Sequence, residues 1–113
     1  MRMRKPPFQF LNDAFEYHEY IGTNDWNEPL YSAPKVIEHA KIDRGSEYSS
    51  NSSGKQLLYN SIVYCYNGAT VPFPDFREQS MIVFDGKEHI ITKTVKNYEP
   101  YMSDVYSYEL EVI

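Results

Sequence analysis

The dipeptide Asp85-Gly86 is the feature of this sequence that most restricts its fold. It separates two short apolar runs, residues 81–84 and 89–92. An Asp-Gly pair between runs rich in β-branched residues is a strong signal for a β-hairpin. A two-residue turn and a bulged three-residue turn place different side chains on the buried face. The pattern therefore predicts the hairpin and leaves its register open.

Four further segments have the alternation or the β-branched and aromatic content of strands: residues 14–20, 36–43, 57–66 and 106–113. The apolar residues of 36–43 also fit a helical turn, but its β-branched residues favour a strand. In the last segment we expect Tyr106, Tyr108, Leu110 and Val112 to face the core. Aromatic residues make up 16% of the chain, and no segment clearly indicates a helix.

The connections carry residues typical of turns and loops. Pro72 and Pro74 fix φ and remove backbone donors, so residues 71–76 cannot lie in a central strand. We expect Phe73 and Phe76 to fix this loop to the core. Residues 97–104 predict another loop, and the Ser-rich residues 44–55 predict a flexible one.

These patterns predict an all-β protein with one domain over residues 1–113. The expected architecture is a small antiparallel barrel or sandwich of about five to six strands with long loops. The residues expected to have structural roles are Pro72, Phe73, Pro74, Phe76, Asp85 and Gly86.

Residues 1–12 predict an extended N-terminal arm whose charge differs from that of the body. Arg2, Arg4 and Lys5 are basic, whereas the rest of the chain has eight basic and sixteen acidic residues, a balance of −8. An acidic body argues against a nucleic-acid-binding surface, which needs clustered Lys and Arg. The arm suits either contact with an acidic partner or a solubilising role.

The sequence contains no recognisable catalytic or metal-binding set. His18, His39 and His89 each adjoin a glutamate, but neighbours on a strand point to opposite faces and cannot chelate one ion together. The motifs of phosphate-binding loops, serine hydrolases and zinc proteases do not occur. We therefore expect neither an enzyme nor a cofactor. A buried, unreactive thiol is the expectation for Cys65.

Localisation and two other binding roles follow from composition. No apolar run approaches the ~18 residues of a membrane span, and Pro6-Pro7 occupy the place of a signal peptide's apolar stretch. We expect a protein kept in a reducing cytosol. We also expect Trp26 to pack against Pro29 or the core rather than to stack on a sugar. Tyr-rich strands leave open a single-stranded nucleic-acid or small-ligand binding module on an oligonucleotide-binding type barrel.

Several segments, taken in order, resemble the minor capsid proteins encoded in the head-gene region of tailed phages and prophages of Gram-positive bacteria. The resemblance covers most of the chain. The segments are Lys5-Pro6-Pro7, residues 17–20, Asp25-Trp26-Asn27-Glu28-Pro29-Leu30-Tyr31, residues 72–76, residues 82–88 and residues 108–112. The Ser-rich residues 46–53 are longer or more polar than the family pattern.

The resemblance implies a non-enzymatic virion protein of the head–tail connector, or head-closure, type. Such a protein assembles in the bacterial host cytoplasm as a homo-oligomeric ring that joins portal or adaptor proteins to the tail. DNA passes through the ring, and an acidic wall would repel its phosphates. We expect the 44–55 loop to become ordered on assembly. The candidate interaction residues are Arg2, Arg4, Lys5, Phe8, Phe10, Trp26, Arg44, Glu47, Tyr48 and Lys55.

Overall fold

The computed structural model describes residues 7–45, 47–51, 54–100 and 103–113. One turn of 3-10 helix, Phe8–Phe10, precedes the strands. The strands are β1 Asp13–His18, β2 Tyr20–Thr23, β3 Pro29–Tyr31, β4 Lys35–Asp43, β5 Glu47–Asn51, β6 Gly54–Tyr59, β7 Ser61–Tyr66, β8 Met81–Phe84, β9 Lys87–Tyr98 and β10 Val105–Val112.

Six of these strands close into an antiparallel barrel in the order β1-β4-β7-β10-β9-β8. The strands β2 and β3 form a two-stranded sheet of their own, and so do β5 and β6. The all-β prediction is therefore confirmed, with a barrel rather than a sandwich. Closure of the sheet pairs the long edges that an open sheet would leave exposed.

The antiparallel order places the two additional hairpins at opposite ends of the barrel. We call the end at which β1 finishes the upper end. The β2–β3 hairpin follows β1 there, together with residues 67–80 and the connection from β9 to β10. The β5–β6 hairpin, which connects β4 to β7, lies at the lower end with the turn between β8 and β9.

The core combines aliphatic side chains from the strands with an aromatic group under the loop before β8. Phe76 is 4% exposed and packs edge-on against Tyr17 and Tyr108, with ring centroids 5.1 Å and 5.3 Å away. Phe73 is partly buried against the same cluster. The Tyr17 hydroxyl accepts a hydrogen bond from the Arg77 backbone N–H at 2.9 Å. The loop is thus fixed to the barrel by rings and by a hydrogen bond.

The register left open by the sequence is that of a two-residue turn. Phe84 pairs with Lys87, and Asp85 and Gly86 have φ of 54° and 73°. Both positive angles match a type I′ turn, which suits the right-handed twist of the flanking strands. Glycine adopts such an angle without cost, and aspartate tolerates it better than most residues.

The prediction of a flexible loop over residues 44–55 is wrong, because most of this segment forms the β5–β6 hairpin. Ser49 pairs with Gln56, and Asn51 pairs with Gly54. Gly54 has φ of 118°, an angle that favours glycine. The predicted strand 57–66 is likewise divided at Asn60, because β6 and β7 belong to different sheets. Because residues 44–55 contain almost no apolar side chains, their sequence lacks the alternation that would indicate a strand.

A β-bulge explains the ambiguous pattern of β4. His39 has φ of 62°, and the pairing of β1 with β4 shifts register there. Ile37 and Ala40 are both buried although they are three residues apart, while Val36 is 57% exposed. The extra residue of a bulge reverses the alternation of faces. The expectation of a strand is confirmed, and the bulge explains why Val36 lies on the outer face while Ile37 is buried.

The ends of other segments also differ from prediction. The strand β9 continues to Tyr98, so the predicted loop 97–104 is shorter. Within the predicted arm, residues 8–10 form the 3-10 turn and Leu11 is buried, so this part is not extended. Residues 1–6, which include Arg2, Arg4 and Lys5, lie outside the described residues.

Candidate interaction surfaces

The tip of the β2–β3 hairpin is an ordered turn built around Asn24. Its side-chain oxygen accepts hydrogen bonds from the backbone N–H groups of Trp26 at 2.8 Å and of Glu28 at 3.0 Å. The Asn24 backbone N–H donates to the Glu28 carbonyl at 3.0 Å. Such side-chain-to-backbone bonds are typical of asparagine in turns. They hold Trp26 in a defined position at the upper end.

This hairpin exposes three large apolar side chains. Trp26 is 83% exposed, Ile21 53% and Leu30 41%. The prediction that Trp26 packs against Pro29 or the core is therefore wrong. The rings of Tyr20 and Tyr31 pack together across the hairpin, and Ile21 and Leu30, next to them on each strand, point to the other face. We call Ile21, Trp26 and Leu30 the hairpin patch.

The base of the same hairpin is tied to the loop before β8. The Tyr20 backbone N–H donates to the Ser80 hydroxyl at 2.9 Å, and the Arg77 guanidinium donates to the Tyr20 carbonyl at 2.9 Å. The guanidinium also lies 5.5 Å from the Tyr20 ring centroid, within the range of a cation–π contact. The hairpin patch is therefore presented on a supported element.

At the lower end of the barrel, Arg44 forms ion pairs with two carboxylates of the same chain. Its guanidinium donates to both Asp85 carboxylate oxygens, at 2.6 Å and 3.2 Å, and lies 3.5 Å from the Asp13 carboxylate. The hydrogen bond from Arg44 lowers the pKa of Asp85, and the same hydrogen bond raises the pKa of Arg44. Asp13 also accepts the Ile42 backbone N–H at 2.9 Å. This group joins the ends of β4, β1 and the β8–β9 turn.

For most of the remaining predicted interaction residues, the structure describes only the backbone. Phe10 is 59% exposed. Phe8 lies in the 3-10 turn, and Glu47, Tyr48 and Lys55 lie in the β5–β6 hairpin. The structure describes the backbone of these four residues and not their side chains.

The outer wall of β7, β10 and β9 has a cleft near the upper end that the sequence patterns do not indicate. Its volume is about 390 Å³. Register explains how it forms, because Tyr66 pairs with Ser107 and Ser107 pairs with Asn97 across the three strands. We call it the tyrosine cleft, and it is lined by Tyr64, Tyr66, Asn97, Tyr98, Tyr106, Ser107 and Glu109. From the sequence, alternation along each strand could identify these residues only as outward-facing, and it could not show that they meet in one cleft.

The carboxylate of Glu109 is one of the groups that line the tyrosine cleft. The Asn97 amide donates to the Glu109 carboxylate at 2.8 Å and to the Ser107 hydroxyl at 3.1 Å. Burial, followed by the charges of Glu109 and Asp43, raises the pKa of Tyr64. No Lys or Arg of the described part of the chain lines the cleft. It offers aromatic rings, as a nucleic-acid platform would, but its charge is of the opposite sign to the one phosphates require.

The described residues offer no assembled site for metal chemistry. No group of three or more His, Cys, Asp or Glu among them could hold a metal ion. Cys65 is fully buried, and burial raises the pKa of its thiol. Within the described part of the chain, no helix is long and apolar enough to cross a membrane.

Comparisons with known proteins agree with the resemblance. "Uncharacterized protein ORF5" of Lactococcus phage LL-H is 25% identical to the chain over 80 residues, which cover 68% of each protein. The sequence model described as "Minor capsid protein" matches residues 7–112, nearly the whole chain. Membership of this family implies a structural protein of the phage virion. The chain belongs to the minor capsid protein family.

Proposed function

We propose that the protein is a head–tail connector of the head-closure type, a ring subunit that joins the portal or adaptor to the tail. The observation that carries the proposal is the placement of the two additional hairpins. They leave the barrel at opposite ends, so one subunit offers separate projections to a protein above and a protein below. The barrel walls remain available for contact with neighbouring copies.

The hairpin patch supports a contact at the upper end. Tryptophan is enriched among the residues that contribute most of the binding free energy at protein interfaces. The hydrogen bond to Asn24 fixes the backbone of Trp26 before any partner binds. Preorganisation of this kind reduces the entropy lost on binding. Clusters of exposed apolar side chains often mark sites of contact with other proteins, which fits a partner at this hairpin.

The acidic body is consistent with passage of DNA through the ring. Outside the first five residues the chain has a balance of −8, and such a wall repels phosphates rather than binding them. In this proposal the ring assembles in the host cytoplasm and neither binds a membrane nor catalyses a reaction. The β5–β6 hairpin takes the place of the loop expected from the sequence, and its contact with a neighbouring virion protein is part of the proposal.

Quantitative peptide mass spectrometry of purified virions tests the proposal. The copy number of this protein is measured relative to the major capsid protein. A number on the order of ten, typical of a closed ring of subunits, supports a connector. Copies in the hundreds would instead indicate a protein that decorates the shell. Absence from the particle would contradict any virion role.

A further inference from the structure

Within the described ranges of the chain, the tyrosine cleft contains a carboxylate and no cation. Glu109 is half-buried among tyrosines, and its hydrogen bond comes from the neutral amide of Asn97. Among the residues that the structure describes, no Lys or Arg forms an ion pair with Glu109. A partly desolvated carboxylate without a cation favours a ligand that supplies one.

The rings around Glu109 narrow the chemistry of that ligand. Tyr66 and Tyr106 meet edge-to-face, with centroids 5.8 Å apart, and Tyr98 is 52% exposed at the margin. Grooves lined by aromatic rings bind proline-rich segments, whose fixed φ angles limit the entropy lost on binding. Arginine also stacks on aromatic faces while it pairs with a carboxylate. A basic segment that contains proline therefore fits the cleft.

The chain itself contains one such segment, residues 2–7 with the sequence RMRKPP. It has three basic residues followed by two prolines. Elsewhere the chain has a balance of −8, so this short segment carries the charge that complements the cleft. We propose that the tyrosine cleft binds residues 2–7 of a neighbouring copy, with a basic side chain on Glu109 and the prolines against the tyrosine rings.

The geometry of the barrel favours a neighbouring copy over the same one. The strands β1 and β10 are three strands apart in either direction around the barrel, about 14 Å at the usual strand spacing. Across the sheet the register leads from Asp13, at the start of β1, through β4 to Tyr64 and Glu109 in the cleft, so the arm must cover this distance around the wall before it reaches the cleft. Six residues span at most about 21 Å when fully extended. They are too short to go around the wall and also lie along the cleft.

An arm and a cleft on opposite walls produce a head-to-tail contact. Each copy then uses one surface to bind and another to be bound, and repetition of this contact closes a ring when the rotation allows it. The inference deepens the proposed function and rests on it for the claim that copies meet in a ring. Binding of the segment to the cleft can be measured without any ring.

The test is an NMR titration of full-length protein with a synthetic peptide of residues 1–10. The protein has the substitutions R2Q, R4Q and K5Q, so that its own arm does not compete. We expect amide shifts at Tyr66, Asn97 and Glu109. A control peptide with the same three substitutions should bind at least about tenfold more weakly, because it lacks the charged hydrogen bonds.

A matched change in the protein is E109Q, which keeps the shape and an acceptor for the Asn97 amide. It should weaken binding of the natural peptide by about tenfold or more, whereas V36A, an exposed position on β4 that does not line the cleft, should leave binding unchanged. Equal affinity for E109Q and its parent overturns the proposal. So does an absence of shifts at millimolar peptide, or shifts confined to the β2–β3 hairpin.

The titration and the virion measurement fail independently. If the peptide binds the cleft and the protein is absent from virions, the contact stands and the connector function does not. If the virion contains one ring of copies and the peptide does not bind, the connector function stands and this contact is removed.

Discussion

Replacement of Trp26 by alanine should separate the stability of the fold from the assembly of the virion. The side chain is 83% exposed, and the Asn24 turn binds the backbone at this position rather than the ring. Surface substitutions of this kind change the free energy of unfolding by about 0.5 kcal/mol or less. An aromatic residue at the centre of an interface contributes about 2 kcal/mol or more, which weakens association by about 30-fold.

The measurement combines urea unfolding with complementation of a phage that lacks the gene. We expect W26A to unfold at the same urea concentration as the parent protein, to give few infectious particles, and to accumulate heads without tails. V36A is the matched control, because Val36 is also exposed and apolar but belongs to the barrel strand β4 and not to the β2–β3 hairpin. A normal yield of particles from W26A, or an equal loss from V36A, would refute the argument.

Three further predictions concern the barrel itself. F76A should lower the free energy of unfolding, measured in urea, by about 3–5 kcal/mol. F73A should lower it less, because Phe76 is buried and Phe73 only partly so. A larger loss for F73A than for F76A would contradict this packing, and F76L gives a milder variant for comparison. Burial lowers the pKa of His89 below 6.5. Because the unfolded chain therefore takes up a proton on His89 before the folded one does, the melting temperature should fall as the pH drops below 6.5. H89Q should flatten this pH profile, and an unchanged profile in H89Q would contradict the role of His89. The buried Cys65 thiol should react with an aromatic disulfide reagent only as fast as the protein unfolds, and immediate reaction of the native protein would disprove its burial.

The parts of the fold that sequence patterns predicted depend on short-range signals. The turn at Asp85-Gly86 lies between runs that each contain their own β propensity, so the hairpin requires no distant partner to be identified. The final strand shows its inward residues by simple alternation, and Tyr108, Leu110 and Val112 are buried as expected. Tyr106 was also expected to face the core, and that expectation is wrong. This residue lies beside a register shift between Val105 and Ser107, and its ring packs on Tyr66 at the outer cleft.

The features that were missed depend on pairing between distant segments. The bulge at His39 changes which residues of β4 face inward, and it is defined by the partner strand β1. The β5–β6 hairpin pairs only with itself outside the barrel, and its first strand, EYSSN, has a single apolar residue. In both cases the local sequence is compatible with more than one structure, and tertiary context selects among them.

The same reasoning explains why the candidate surfaces were the hardest part to predict. Alternation separates inward from outward positions, and it treats all outward positions as equivalent. Tyr66 and Asn97 are 31 positions apart in sequence, and β10 brings them to one cleft because Ser107 pairs with both. For a protein whose contacts lie on the walls and ends of a barrel, the pattern that specifies the core therefore contains little information about function. Substitutions at outward positions such as Glu109, which should leave the fold intact, are the ones that identify the interfaces.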